Sequence, residues 1–402
     1  LTFTYTVSSG ETSSDLDYAS TSALALNSGT INDAAGNAAT LTLPTVGGSS
    51  SLGGSKALVI DTSAPSAFTT GTVTTTGGTV TSGYWNSTNT GLSVSVPIAN
   101  DASLTDGTVQ LKGKTGSNSY ADLGSAVTIT SSDLDGTISA TATAAQFEAL
   151  TGFADAAADT ITAVITDKIG NSTTGTVSAT VLTIDETLPV ISSTSPATNA
   201  YVNNTKVSYT LSEAIASGTI TWTRTGGSDD TDSPHAKSLT GDELNSGAHS
   251  SITLTNNPTL VDGTVYTVSF DASDAAGNTA TNVSNTSVTY DAVVPVISST
   301  SPATNAYVNH TNVSYTLSKA IASGTITWTR TGGSDDTNSP HAKALSGDEL
   351  NTGAHTNITL TNNPTLINGG VYTVSFDATD AFGNSATTIS NTAVTYDAVA
   401  PT

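Results

Sequence analysis

The 402-residue chain carries 33 acidic against 10 basic side chains, a formal net charge of −23 at pH 7, and it contains neither cysteine nor methionine. That balance excludes nucleic acid as a partner, because a phosphate backbone would be repelled, and it asks for a cation. Without cysteine there is no disulfide and no thiolate metal site, and the absence of both readily oxidised side chains suits an extracellular life.

No stretch approaches the roughly 20 apolar residues of a membrane span, so no membrane insertion is expected in this segment. No signal-peptide pattern opens the chain; Leu1 leads directly into a strand-like run, which reads as a segment of something longer. Thr, Ser, Gly, Val and Ala dominate, and apolar residues recur with period two, so short strands and tight turns are predicted throughout. The fold class expected is all-β, an elongated tandem array of immunoglobulin-like β-sandwich domains.

In chain order, residues 1–61 read as the C-terminal part of a sandwich repeat, with strands at Leu1–Val7, Leu24–Ile31, Ala38–Leu43 and Lys56–Ile60 and a Gly/Ser-rich insertion at 47–54. Residues 62–185 form a divergent repeat, with strands expected at Gly91–Ile98, Thr108–Lys114, Ala126–Thr130, Thr160–Thr166 and Gly175–Ile184. A helical turn is expected at Ala144–Leu150. Residues 186–291 and 292–397 align without a gap and differ at 21 of 106 positions, and 398–402 begin a further unit. Near-identical neighbours mean a module copied for number, which sets reach, stiffness or valency. Alternation at Val207, Tyr209 and Leu211, at Ile220 and Trp222, and at Tyr266, Val268 and Phe270 points to about seven strands per module. Trp222 and Trp328 are then core residues of a central strand.

One short acidic turn occurs four times: Asp33-Ala-Ala-Gly-Asn37, Asp167-Lys-Ile-Gly-Asn171, Asp274-Ala-Ala-Gly-Asn278 and Asp380-Ala-Phe-Gly-Asn384. Each is followed by a linker aspartate four residues before a proline: Asp61, Asp185, Asp291 and Asp397. In an immunoglobulin-like sandwich the turn between the last two strands lies at the end where the chain enters, beside the turn between the second and third strands. That topology gathers Asp185, Glu213, Asp274 and a turn carbonyl near Asn278 at one junction. Asp61, Asp101 and Asp167, with Asn171, form the counterpart one unit earlier; Asp291 and Asp380, with Asn384, form the one after. There Lys319 replaces the glutamate, leaving fewer ligands or filling the cation's place with its own charge. Clustered carboxylates and carbonyls are the donor set a hard cation prefers, so calcium is the expected ion. Asp271 and Asp377 are optional further ligands. The competing reading is that Asp and Gly-Asn serve only tight turns, Asp by bonding its own backbone and Gly-Asn by tolerating positive φ.

The tandem Asp-x-x-Gly-Asn turn followed by Asp-x-x-x-Pro resembles the bacterial Ig-like repeats of giant calcium-binding surface adhesins. The resemblance covers essentially the whole chain. It implies a non-enzymatic, secreted segment at the bacterial cell surface, acting in cell adhesion. Calcium at domain junctions would stiffen a stalk that projects a binding domain. The partners implied are neighbouring repeats or other copies, and a host or cell-surface receptor reached through domains outside this segment. The alternative is a self-assembling subunit of an extracellular filament, sheath or surface layer.

Three other features carry less. The loop Asp229-Asp230-Thr-Asp232-Ser-Pro-His235 and its copy through Asp335, Asp336, Asn338 and His341 read as solvated loops rather than second metal sites. His249 and His355 have no Ser or Cys companion that would suggest nucleophilic catalysis. Asn-x-Ser/Thr triplets such as Asn282-Val-Ser284 are expected by chance in so Thr-rich a chain.

Overall fold

The computed structural model describes residues 2–400. Leu1, at the head of the first expected strand, and Pro401–Thr402, within the expected start of a further unit, lie outside the described residues. Two compact units divide the chain: one runs to Thr187 and takes in Ala276–Asn278, and the other comprises the remainder from Leu188.

Within the first unit, residues 2–61 form little regular structure. Thr12–Ser13 pairs antiparallel with Ile60–Asp61, and a single bridge joins Asn32 to Ala38. The strands expected at 2–7, 24–31 and 38–43 are not formed. Phe3, Tyr5, Val7, Leu58 and Val59 are exposed, and a strand with no opposing face on which to bury its apolar side gains too little to persist. The Gly/Ser insertion holds a four-residue helical turn, Leu52–Ser55, capped by the Ser51 hydroxyl.

The rest of this unit is a β-sandwich. One sheet orders Val73–Thr76, Gly91–Pro97 and Thr137–Thr143; the other orders Tyr84–Asn86, Leu182–Asp185, Ala158–Thr166, Thr108–Thr115 and Ala121–Thr128, with Ser172–Thr174 added to Ala158–Thr166. Strict alternation of buried and partly exposed residues along Thr108–Thr115 is the period-two pattern at work. The expected continuous strand 175–184 is interrupted, because Thr176 and Ser178 instead bond Phe68 and Gly71. The helical turn is Ala144–Phe147, closed by a Thr143/Gln146 capping box, and it drives Phe147 against Trp85 with ring centroids 4.7 Å apart.

The second unit holds two copies of one sandwich. In the first, a three-stranded sheet (Ile191–Ser195, Val207–Leu211, Gly247–Ile252) faces a five-stranded one in the order Tyr201–Val202, Val283–Tyr290, Thr264–Ser273, Ser217–Gly227, His235–Ser238. The copy repeats this order from Ile297–Ser301 to Ile389–Tyr396. In each copy the side chains of both sheets meet in one apolar cluster, with Trp222 fully buried in the first and Trp328 in the second. Tyr266 meets Trp222 edge-on, and its hydroxyl accepts the Val261 N–H at 3.0 Å, a corner that fixes where the strand Thr264–Ser273 begins. Among the described residues, no helix is long and apolar enough to cross a membrane.

Candidate functional site

The acidic turns share one geometry, and it follows from their residue types. The Asp N–H donates to the Asn carbonyl four residues on, at 3.0 Å in 33–37, 2.9 Å in 167–171 and 3.0 Å in 380–384. The same Asp Oδ1 accepts the N–H groups of the residues two and four positions later, at 2.9 Å in each case. The glycine sits at φ 86° (Gly36), 111° (Gly170), 92° (Gly277) and 84° (Gly383), where a Cβ would be strained. Turn chemistry therefore occupies Oδ1, while Oδ2 accepts the turn's own asparagine amide, at 2.8 Å in 33–37, 2.9 Å in 167–171 and 3.0 Å in 380–384.

The asparagine does more than tolerate a turn. Its Nδ2 donates to the main-chain carbonyl of the linker aspartate: Asn171 to Asp61 at 3.0 Å, Asn278 to Asp185 at 2.8 Å and Asn384 to Asp291 at 2.8 Å. The sequence places a turn oxygen near these asparagines among the expected donors; the structure adds that their amide nitrogens strap turn to linker. Asn278 Oδ1 is itself engaged, accepting from the Ser87 hydroxyl at 2.8 Å. Their recurrence at the fifth position of every turn was the available signal. Asp33 and Asn37 belong to an exposed turn, with Asn37 Nδ2 on Asp33 Oδ2 at 2.8 Å.

The fullest view of a junction is in 292–397. Lys319 Nζ lies 2.6 Å from Asp291 Oδ2, 2.8 Å from Asp380 Oδ2 and 3.0 Å from the Val293 carbonyl. The Asp380 side chain is 1% exposed and that of Asp291 15%. Burial works against the ammonium, but hydrogen bonds to Asp291 and Asp380 outweigh it and raise the Lys319 pKa. Burial likewise opposes ionisation of Asp380, yet Lys319 and Asn384 hold its carboxyl below the usual range. Phe382, next to the turn glycine, stacks edge-on against Tyr201 with centroids 5.1 Å apart. Neither aromatic was singled out from sequence.

In 186–291 the lysine position is Glu213, between Val207–Leu211 and Ser217–Gly227, and Asp274 follows Thr264–Ser273. Their carboxylate oxygens come within 4.8 Å of each other. Asp185 ends the strand Leu182–Asp185 in the first unit, its carbonyl held by Asn278. Also in that unit, Asp61 and Asp101 line one cleft with Thr12–Ser14 and Ser103. Asp101 Oδ1 caps the short helical turn Ala102–Leu104 through the Ser103 N–H, and buried Asp167 approaches through the Lys168 N–H on the Ser103 carbonyl at 3.2 Å. Asp271 and Asp377 bond Asn282 and Thr388, each the residue just before the adjacent strand.

The loop expected to be solvated is anchored inside the fold, which corrects that reading. Asp230 is buried, with Oδ2 2.6 Å from the Tyr266 hydroxyl and 2.7 Å from His235 Nε2; Asp336, Tyr372 and His341 repeat this at 2.7 and 2.8 Å. Burial opposes the charge, but the bonds from tyrosine and histidine prevail and hold both carboxyls below their usual range. The loop closes onto a strand end that already presents a tyrosine hydroxyl, which no local pattern revealed. His249 and His355 stack on Tyr209 and Tyr315 at 4.6 Å.

Residues 185–290 match the family model described as the bacterial Ig-like domain, and residues 292–397 are a near copy of that stretch. No curated protein sequence matches the chain. Similar solved structures include the FN1–FN3 domains of chicken CNTN1, at 14% identity over 82% of this chain and 99% of that one, with a TM-score of 0.28. A 1.5-MDa bacterial ice-binding adhesin, from a study of host cell surface retention, gives 14%, 75%, 96% and 0.23. Titin domains give 9%, 80%, 97% and 0.24.

Proposed function

We propose that the chain is a non-enzymatic stalk segment of an extracellular bacterial surface adhesin, its Ig-like sandwiches stiffened at their junctions by calcium. One observation carries this reading: the same asparagine-to-linker bond recurs at Asp61, Asp185 and Asp291. A binding or catalytic site needs to be built once, whereas a junction in a load-bearing array must be built at every repeat. Calcium would be held by Glu213 and Asp274, and in the first unit by Asp61, Asp101 and Asp167. Oxygen-only, carboxylate-rich donors fit a hard cation, which would remove the mutual repulsion of the acids and join linker to turn. Receptor binding belongs on this reading to domains outside the segment, and neighbouring repeats are the direct partners.

Calorimetric titration of the full chain with calcium, paired with small-angle scattering in calcium and in chelator, tests it. Calcium at a hundredfold over its dissociation constant should stabilise the folded chain by about 2.7 kcal/mol per site, and chelation should broaden the distribution of chain dimensions. A chain that takes up no calcium and scatters identically in chelator would remove the metal from the proposal.

A further inference from the structure

We propose that Lys319 is a chain-borne cation whose ammonium occupies the place of a metal ion, so that the junction between modules 186–291 and 292–397 is locked without metal. The inference rests in part on the calcium reading, since that reading defines what the ammonium replaces. An ammonium has three donors, and three oxygens meet Lys319 Nζ: two from carboxylates and one from the Val293 carbonyl, all at 2.6–3.0 Å. Those oxygens come from the linker on one side and the acidic turn on the other, which are the two elements the junction has to hold together.

An exposed ion pair would contribute almost nothing, but Asp380 is closed off from solvent and the lysine is itself three-quarters covered. Breaking a buried pair leaves an uncompensated charge, which is the costly direction. The covering group is Phe382, whose ring centre lies 5.8 Å from Nζ and which also reaches Tyr201. Positions 319 and 382 are Glu213 and Ala276 in the preceding copy. Two of the 21 differences between the copies thus meet at one point, a cation on a flexible stem together with an aromatic lid. The consequence is a chain that combines junctions which respond to calcium with one that does not.

Hydrogen exchange of the full-length chain tests this through peptides spanning 291–296 and 380–384, in calcium and in chelator. In the unaltered chain both segments should exchange at the same rate in the two conditions; slowing by calcium would overturn the proposal. Lys319→Met, which keeps the stem and removes the charge, should speed exchange in 380–384 by roughly tenfold in both conditions, as loss of one partner of a buried pair requires. Unchanged exchange in Lys319→Met would also overturn it. Lys319→Arg should retain most of the protection, which separates loss of charge from loss of packing. Lys319→Glu should exchange fastest in chelator and recover in calcium. Failure of that recovery, with Lys319→Met behaving as expected, would sink the calcium reading of the acidic turns and leave the lysine's role intact.

Discussion

Modules 186–291 and 292–397 are the same sandwich with two different ends. Their core aromatics are identical in kind and position: Trp222 and Trp328, Tyr209 and Tyr315, Tyr266 and Tyr372, Phe270 and Phe376, all fully or almost fully buried. The acidic turn is kept as well, yet Glu213 becomes Lys319 and Ala276 becomes Phe382. A packed core leaves little freedom, since a change of even a methylene is felt by its neighbours. In the second copy a lysine ammonium sits between two carboxylates, where the first copy has a third carboxylate, Glu213. Copying preserved what folds and varied what connects.

The sharpest way to break this comparison is to attack what the modules share. Asp230→Ala and Asp336→Ala each strand a buried tyrosine hydroxyl and an imidazole, which should cost about 2–3 kcal/mol by loss of a charge-assisted network. The loss should be equal in the two modules, read as increased exchange in 264–273 and 370–379 respectively. A loss confined to one copy would show that the cores are not interchangeable. The same pair sets an acid limit. Because the folded-state pKa of both groups is depressed, their contribution is present above the usual value of 3.8 and is lost as pH falls through the lower folded value. Unfolding followed from pH 7 to pH 3 should show this loss, and Asp230→Asn combined with Asp336→Asn should flatten it.

A second comparison sets these carboxylates against Asp159 in the first unit. Asp159 is fully buried and bonded by the Thr115 hydroxyl at 2.5 Å, while its Oδ2 has no hydrogen-bond partner among the described residues. Burial raises its pKa, with the Thr115 bond opposing. The sign therefore reverses: its contribution is present at low pH and lost as pH rises through the raised folded value. At neutral pH the charge is a liability, so Asp159→Asn should stabilise the first unit by about 1 kcal/mol. Chemical denaturation at pH 7 and pH 4 checks it, and the gain should shrink at the lower pH.

Much of this was legible in the sequence where a pattern has a fixed physical period. Alternation located strands such as Val207–Leu211 and Thr108–Thr115, and the Trp222 and Trp328 positions marked the cores. The recurring acidic turn marked the position whose asparagine reaches the linker aspartate. What failed was what depends on a partner distant in sequence. Residues 2–61 carry alternating runs such as Leu-Thr-Phe-Thr-Tyr-Thr-Val, but alternation reports only a strand's readiness, and no opposing sheet covers Phe3 and Tyr5. Asp230 looked solvated because its loop is full of Gly, Ser and Asp, while the Tyr266 that receives it lies 36 residues on. The asparagine strap was hidden for the same reason, since its acceptor is a main-chain carbonyl, and carbonyls carry no residue type.

That strap supplies the smallest effect and the most direct division between turn and junction. All four turns contain Asp, Gly and Asn in the same spacing, but in 33–37 the asparagine serves an exposed turn, whereas Asn171 and Asn384 reach Asp61 and Asp291. Asn37→Ala removes one exposed side-chain bond and should cost only a few tenths of a kcal/mol, because water replaces the lost partner. Asn171→Ala and Asn384→Ala should each cost about 1 kcal/mol, since the linker carbonyl is left without its donor in a partly buried setting. The loss should show as faster exchange at the linker amides of residues 61–63 and 291–293 rather than in the sandwich strands. Should all three variants behave alike, with no change at the linkers, the asparagine would be a turn residue everywhere and its bond to the linker would hold nothing.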